Sequence, residues 1–114
     1  MEMCFEHING VLVAHVQCYL DRLGAENFKY VLNERMKPGE KVVLDLEKLV
    51  NIDNYGLDAL LAAAQKALEN ESVIKLARFS ADMQIVLDIT KVYRVFEIYP
   101  TIEEAVKSCQ EESR

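Results

Sequence analysis

The segment from residue 41 to residue 68, KVVLDLEKLVNIDNYGLDALLAAAQKAL, constrains the fold more than any other part of the chain. It opens with an apolar, β-branched run at 42–46, which is typical of a strand buried on both faces. Its second half carries an apolar stripe with the spacing of one helix face. The stripe consists of Leu57, Leu60, Leu61, Ala64 and Leu68. Because a strand, a short turn and a helix form half of a βαβ unit, the segment predicts an α/β fold.

The polar turn inside this segment, residues 51–56, is the predicted functional site, because functional groups gather at the carboxyl ends of such strands. Either Asp53 or Asn54 can cap the helix by accepting a hydrogen bond from a free backbone N–H. Gly56 allows another backbone or a partner to approach the first helical turn closely. We expect Tyr55 to lie exposed at the start of the helix.

Strand and helix patterns alternate along the rest of the chain. Asn9-Gly10, between apolar runs at 5–8 and 11–18, predicts a β-hairpin. The remaining predicted elements are a helix after Asp21, a strand at 73–77, a helix capped by Ser80, a strand at 95–99 and a helix opened by Thr101 and Glu104. This order predicts a single α/β domain over residues 1–114, with four helices and a mixed, mostly parallel five-stranded sheet.

The composition excludes several classes of function. A net charge of −6 offers no basic surface for nucleic acid. No apolar run reaches the roughly 18 residues that a membrane span needs, and the N-terminal sequence MEMCFEHING does not resemble a secretory signal. Cys4, Cys18 and Cys109 are odd in number and far apart, so we expect buried or partly buried thiols in a reducing cytoplasm.

Residues suited to catalysis are few. The four glycines are isolated and form no phosphate-binding loop. His7 and His15 have no companions at metal-ligand spacing, so we interpret them as ordinary strand histidines and predict no metal site or cofactor. Asp21, Asp45 and Asp53 are expected at one end of the sheet. There they would either bind Mg²⁺ or act as acid and base, or simply cap helices and turns, and we favour capping.

Several short sequences carry a family resemblance over nearly the whole chain. The strongest are VVLDL at 42–46 and IDNYGL at 52–57, supported by LD at 20–21, FS at 79–80 and VFEIY at 95–99. Together, in this order and spacing, they resemble a STAS domain. This is the family of anti-sigma-factor antagonists and of the cytoplasmic domains of sulphate transporters.

The resemblance implies a regulatory mechanism. In this family the turn usually reads Asp-Ser-Ser/Thr-Gly, and its second hydroxyl residue is the phosphoacceptor for a partner that is both kinase and anti-sigma factor. The unphosphorylated antagonist binds that partner and releases the sigma factor. The resemblance therefore implies a cytoplasmic protein without membrane insertion that acts by binding another protein.

The sequence departs from the family pattern at the turn itself. Asn54 and Tyr55 occupy the positions of the two hydroxyl residues. A phenol oxygen lies further from the backbone than a serine oxygen, so a kinase suited to a short hydroxyl should not phosphorylate Tyr55. The family sequence Gly-Glu-Leu-Asp before the first helix reads CYLD at 18–21, so only its second half is kept. We expect the fold and the docking surface to persist and the Ser/Thr switch to be lost or changed.

Two classes of function follow. The first is a non-enzymatic regulatory module that docks a protein partner, since tyrosine is favoured at interface anchors. The predicted docking residues are Asp53, Asn54, Tyr55 and Gly56, and the supporting residues are Asp21 and Asp58. The partner would be an anti-sigma factor kinase, a signalling complex, or a transporter complex in which this chain is an accessory subunit. The second class is a small enzyme or nucleotide-binding domain that uses the carboxylates at the same end of the sheet.

Overall fold

The computed structural model describes residues 2–111, apart from the side chains of residues 18 and 19, and contains six strands and four α-helices. The strands are β1 (Glu2–Ile8), β2 (Val11–Leu20), β3 (Lys41–Asp45), β4 (Leu49–Ile52), β5 (Val73–Ala77) and β6 (Ile98–Tyr99). The α-helices are α1 (Arg22–Arg35), α2 (Asn54–Glu69), α3 (Ala81–Thr90) and α4 (Ile102–Glu111). Met1 and residues 112–114 of the predicted domain lie outside the described residues.

A mixed sheet with the strand order β1-β2-β3-β5-β6 forms the centre of the fold. β1 and β2 pair antiparallel, and every other neighbouring pair along this path is parallel. Asn9 and Gly10 join β1 to β2 with φ angles of 50° and 83°, the positive values that a tight hairpin turn requires. The predicted five-stranded, mostly parallel sheet and its hairpin are confirmed, with β3 at the centre.

β4 is an additional short strand that was not predicted, and its last two residues lie in the predicted turn at 51–56. It pairs in parallel with residues 18–20 at the end of β2, away from the main path of the sheet. Leu49 and Ile52 are buried, whereas Val50 and Asn51 between them are exposed. This pairing holds the start of α2 next to the start of α1.

The predicted strand at 95–99 is wrong over its first three residues, since β6 comprises only the last two. After α3, Lys91 adopts a left-handed conformation with φ of 59°, and one turn of 3₁₀ helix follows. The N–H groups of Val95 and Phe96 both donate to the carbonyl of Val92, at 2.9 and 3.1 Å. The turn buries Val92 and Phe96 and leaves Val95 exposed.

Helices cover both faces of the sheet. The larger core lies on the side of α1, α2 and α3, which contribute Phe28, Leu32, Ala59, Leu60, Ala63, Ala67, Met83 and Leu87. The smaller core lies on the side of α4, which contributes Ile102, Ala105, Val106 and Cys109. In β3, Leu44 packs in the larger core and Val43 in the smaller one, so this strand is buried on both faces, as predicted.

The core face of α2 differs from the predicted stripe. Leu60 is fully buried, but Leu61 and Leu68 are 42% and 76% exposed. The other buried residues of α2 are small: Gly56, Ala59, Ala63 and Ala67. Small side chains let the helix approach the sheet closely, and the larger leucines of the predicted stripe therefore turn partly outward.

Two of the cysteines can be compared with the prediction. Cys109 is buried, as expected, whereas Cys4 is free but exposed on β1. The side chain of Cys18 lies outside the described residues.

Candidate functional site

Asp53 organises the turn between β4 and α2. It lies immediately before the helix in an extended conformation, and its Oδ1 accepts a hydrogen bond from the N–H of Gly56 at 3.0 Å. Of the two candidate capping residues, Asp53 rather than Asn54 therefore caps α2. Its carboxylate satisfies a free N–H and stabilises the positive end of the helix dipole.

Asp21 has the same role at the start of α1. Its Oδ1 accepts a hydrogen bond from the N–H of Gly24 at 2.9 Å. The two capped helix starts lie side by side, because the N–H of Asp53 approaches the carbonyl of Leu20 at 3.4 Å, where β4 pairs with β2. Asp21 and Asp53 thus belong to neighbouring turns, as the sequence predicted.

Gly56 is the point at which these two turns meet. A Cβ atom on Gly56 would lie 2.2 Å from the carbonyl oxygen of Leu20 and 2.6 Å from Cγ1 of Ile52. Gly56 is buried, so its small size makes room for the backbone of Leu20 and not for a partner protein. Gly56 shapes the predicted docking surface without being exposed on it.

Tyr55 is 53% exposed and connects the two helix starts. The guanidinium carbon of Arg22 lies 5.8 Å from the centre of its ring, within the range of a cation–π contact. We call the exposed surface formed by Asp21, Arg22, Asp53 and Tyr55 the cap surface. Arg22 was not predicted to belong to it, because no local sequence signal links the start of α1 to Tyr55.

Asn54 and Asp58, the other two predicted residues, are exposed beside the cap surface. They line a groove between α2 and the segment that follows α3, where Lys91 is also found. The structure therefore divides the predicted site into the cap surface and the adjoining end of this groove.

Asp45 does not share the surroundings of Asp21 and Asp53, so the expected group of three carboxylates is wrong. Its side chain is only 5% exposed and accepts hydrogen bonds from Nε and Nη2 of Arg78, at 3.1 and 2.7 Å. In the described part of the chain, no three His, Cys, Asp or Glu side chains are arranged to hold a metal ion. Asp45 is instead the centre of an ion-pair network.

His15 belongs to the same network, although no pattern in the sequence indicated this. Its Nδ1 lies 2.6 Å from Oδ2 of Asp45, and its Nε2 lies 2.6 Å from Oε2 of Glu6. Since both ring nitrogens face carboxylates, only the protonated ring can donate to both. Burial alone would lower the pKa of His15, but the hydrogen bonds to Asp45 and Glu6 outweigh burial and raise this pKa above 6.5.

The pKa of Asp45 is shifted the other way. Burial alone would raise this pKa, but hydrogen bonds from Arg78, His15 and the N–H of Glu47 lower it below 3.8. Asp45 therefore stabilises the fold above pH 3.8 and loses this contribution as the pH falls through its lower folded pKa.

We expect His15→Gln to reduce the free energy of unfolding by about 1.5–3 kcal/mol near pH 6, the range for hydrogen bonds to charged groups. Because the pKa of His15 is higher in the folded protein, its contribution is complete below pH 6.5 and is lost as the pH rises through the folded pKa. Urea unfolding should show the difference between wild type and His15→Gln shrinking above pH 6.5. His7→Gln, at an exposed histidine, is the control. A wild-type advantage that stayed constant over this range would contradict the role of the protonated ring.

Comparisons with known proteins agree on one family. The model of the STAS domain family matches residues 3–105. A candidate anti-sigma factor antagonist of Bordetella bronchiseptica, BtrV, is 26% identical over 106 residues, which cover 92% of this chain and 91% of BtrV.

Two solved structures extend the comparison to the fold. The crystal structure of a candidate anti-sigma factor antagonist from Thermotoga maritima superposes with a TM-score of 0.86 at 19% identity, covering 95% of this chain and 94% of that one. The murine anion transporter Slc26a9 superposes with a TM-score of 0.81 at 20% identity, covering 94% of this chain but 19% of the transporter. None of the described helices of this chain is both long and apolar enough to span a membrane.

Proposed function

The chain belongs to the STAS domain family, and from this premise we propose that residues 1–114 act as one non-enzymatic regulatory domain of the anti-sigma-factor-antagonist type. In this proposal it binds a protein partner in the cytoplasm through the cap surface. The resemblance to BtrV over nearly the full length of both proteins supports this assignment.

The observation that carries the proposal is the exposed pair of Tyr55 and Arg22 where two helices begin. Tyrosine and arginine are enriched among the residues that dominate binding energy at interfaces, because each offers a large contact area together with polar groups. Asp21 and Asp53 border the pair and add negative charge. A partner that presents basic side chains would complement this surface.

Tyr55 also defines how regulation would differ from the usual family mechanism. It stands where family members carry the phosphoacceptor hydroxyl, and Asn54 stands where they carry the preceding serine. A Ser/Thr kinase would meet a phenol displaced from the position of a short hydroxyl, so in-line transfer to it is disfavoured. We infer that the partner-binding state of this protein is not switched off by such a kinase.

The alternative of a small enzyme or nucleotide-binding domain has less support. It relied on free carboxylates, but Asp21 and Asp53 accept helix N–H groups, and Asp45 is engaged by Arg78 and His15. The alternative of a transporter accessory subunit rests on the likeness to Slc26a9, which concerns the fold alone. Identification of the partner decides between these functions.

Tyr55→Ala tests the proposed surface. Immobilised wild-type protein would capture its partner from native cells, mass spectrometry would identify it, and its affinity for purified variants would be measured. We expect Tyr55→Ala to weaken binding by about 2 kcal/mol or more, roughly 30-fold, as for an interface hot spot. Its free energy of unfolding should change by only about 1 kcal/mol, since only an exposed cation–π contact is lost.

Tyr30→Ala is the matched control, because Tyr30 is an exposed tyrosine of α1 and not part of the cap surface. It should leave the affinity nearly unchanged. Equal affinities for wild type and Tyr55→Ala would show that the partner binds elsewhere. A transporter ATPase or permease as the captured partner would favour the accessory-subunit function.

We also expect the turn at 51–58 to remain unphosphorylated when the protein is incubated with an anti-sigma-factor kinase of this family and ATP. Intact-mass and peptide analysis would locate any phosphate. Tyr55→Ser restores the short hydroxyl and should gain phosphate at that position. Phosphate on Tyr55 of the wild type would contradict the loss of the switch.

A further inference from the structure

α2 has a second apolar face besides the one that packs in the core. This outer face comprises Leu57, Leu61, Ala64 and Leu68, which are separated by four, three and four positions. This spacing is that of the a and d positions of a heptad repeat, through which one helix packs against another. The buried residues of α2 are a different set. Within the outer stripe, Leu57 and Ala64 are partly buried against the larger core, whereas Leu61 and Leu68 are exposed.

The outer stripe lines two neighbouring depressions. Leu57 and Leu61 line the depression near Asn54, and Ala64 and Leu68 line the other one. Val95, in the turn before β6, lines both depressions. From the first leucine to the last, the stripe spans about 16 Å, or three helical turns. We call this feature the α2 groove.

The groove leaves large apolar side chains exposed. Leu68 is 76% exposed, Val95 52% and Leu61 42%. A single exposed apolar residue is ordinary, but several that line neighbouring depressions indicate a surface that binds another molecule. An apolar face with a and d spacing is suited to an amphipathic helix laid along it.

We propose that the α2 groove binds an amphipathic helix of the protein partner, with apolar residues at its a and d positions and basic residues beside them. The proposal rests on the proposed function and names the chemistry of that partner. The groove begins at Asn54, next to Tyr55, so one partner can contact the groove and the cap surface together.

The net charge of the chain favours a basic partner. Asp58 and Lys91 are the charged residues that line the groove. α2 and α3 also carry Glu69, Asp82, Asp88 and Lys66, and Arg94 lies in the turn before Val95. Lys91, on the opposite side of the groove, accommodates one acidic residue of the partner. The net charge of −6 opposes association of two copies of this chain and attracts a basic helix.

Site-specific photo-crosslinking tests this proposal. The photoreactive amino acid benzoylphenylalanine would replace Tyr55, Leu61 or Leu68 in separate full-length variants, with Leu23 as the control. Leu23 is 79% exposed on α1 and does not line the groove. After irradiation in the native cells, we expect adducts at 61 and 68 with a peptide of another protein that has apolar heptad spacing and flanking Lys or Arg. No such adduct is expected at 23.

The crosslinked peptide would then be synthesised and titrated against full-length variants by fluorescence anisotropy. Leu61→Glu and Leu68→Glu should each weaken binding by about tenfold or more, because each brings a charge into an apolar contact. Leu23→Glu should change it by less than about twofold, as expected for a surface position.

The three crosslinking positions separate the two proposals. Adducts at 55 but not at 61 or 68 would overturn the groove and leave the cap surface standing. Adducts at 61 and 68 but not at 55 would support the groove and contradict docking through Tyr55. Adducts of this chain with itself, or with a peptide that lacks heptad spacing, would overturn the helix-binding proposal. A lack of adducts at all three positions would overturn both.

Discussion

Gly56→Ala should destabilise the protein by about 3 kcal/mol, the upper part of the usual range for an overpacked site. The added methyl group would lie 2.2 Å from the carbonyl oxygen of Leu20. A backbone oxygen cannot rotate away as a side chain can, so α2 or the end of β2 must move. That movement would also disturb the pairing of β4 with β2. Urea unfolding of the purified variant would measure the loss.

Helix propensity alone predicts that Gly56→Ala increases the free energy of unfolding, because alanine is a better helix former than glycine by about 1 kcal/mol. Ala62→Gly, at an exposed position of the same helix, is the control and should cost about that amount. Gly56→Ala with unchanged or increased stability would mean that the two helix starts are not in contact. The geometry of the cap surface would then be wrong as well.

Leu60→Ala should reduce the free energy of unfolding by about 2–5 kcal/mol, the range for a buried leucine replaced by a cavity. Leu60 has no exposed surface and packs in the larger core. Leu68→Ala, eight positions along the same helix but 76% exposed, should change stability by only about 0.5 kcal/mol. Both variants replace leucine by alanine in the same helix, so the change in helix propensity is the same. The difference between their free energies of unfolding therefore measures burial. Chemical denaturation of both proteins, together with wild type, provides the comparison.

The loss at Leu60 would be a large part of the total stability of a domain of this size, commonly about 5–15 kcal/mol. Equal losses at Leu60 and Leu68 would mean that α2 is rotated about its axis and that its leucine stripe faces the core. In that case the α2 groove would not exist as an open surface.

Both predictions depend on the same property of α2, which is apolar on more than one side. The sequence predicted that the core stripe consists of Leu57, Leu60, Leu61, Ala64 and Leu68, but of these residues only Leu60 is fully buried. The space between α2 and the sheet is narrow, however, and Gly56 and the alanines fill it better. A hydrophobic pattern indicates that a helix has a face to bury, but the distance to the neighbouring layer decides which residues fit there.

Features that arise from neighbouring residues were predicted from the sequence alone. Asn9-Gly10 makes the hairpin because both residues tolerate positive φ. Asp21 and Ser80 cap their helices, as expected, through hydrogen bonds to N–H groups three positions later. The apolar run of β3 was placed in the centre of the sheet because it has no polar face. Each of these depends on backbone conformation or on interactions within a few residues.

Only the tertiary structure decided the contacts between distant segments. Asp45 meets His15, 30 positions away, and Arg78, 33 positions away, because β2, β3 and the end of β5 are neighbours in the sheet. Arg22 reaches Tyr55 because β4 pairs with β2 and brings two helix starts together. No local pattern encodes such pairs, since the partners become neighbours only when the strands have aligned. The sequence alone therefore identified the turn that carries Tyr55, whereas the packing of the chain determined which residues surround it.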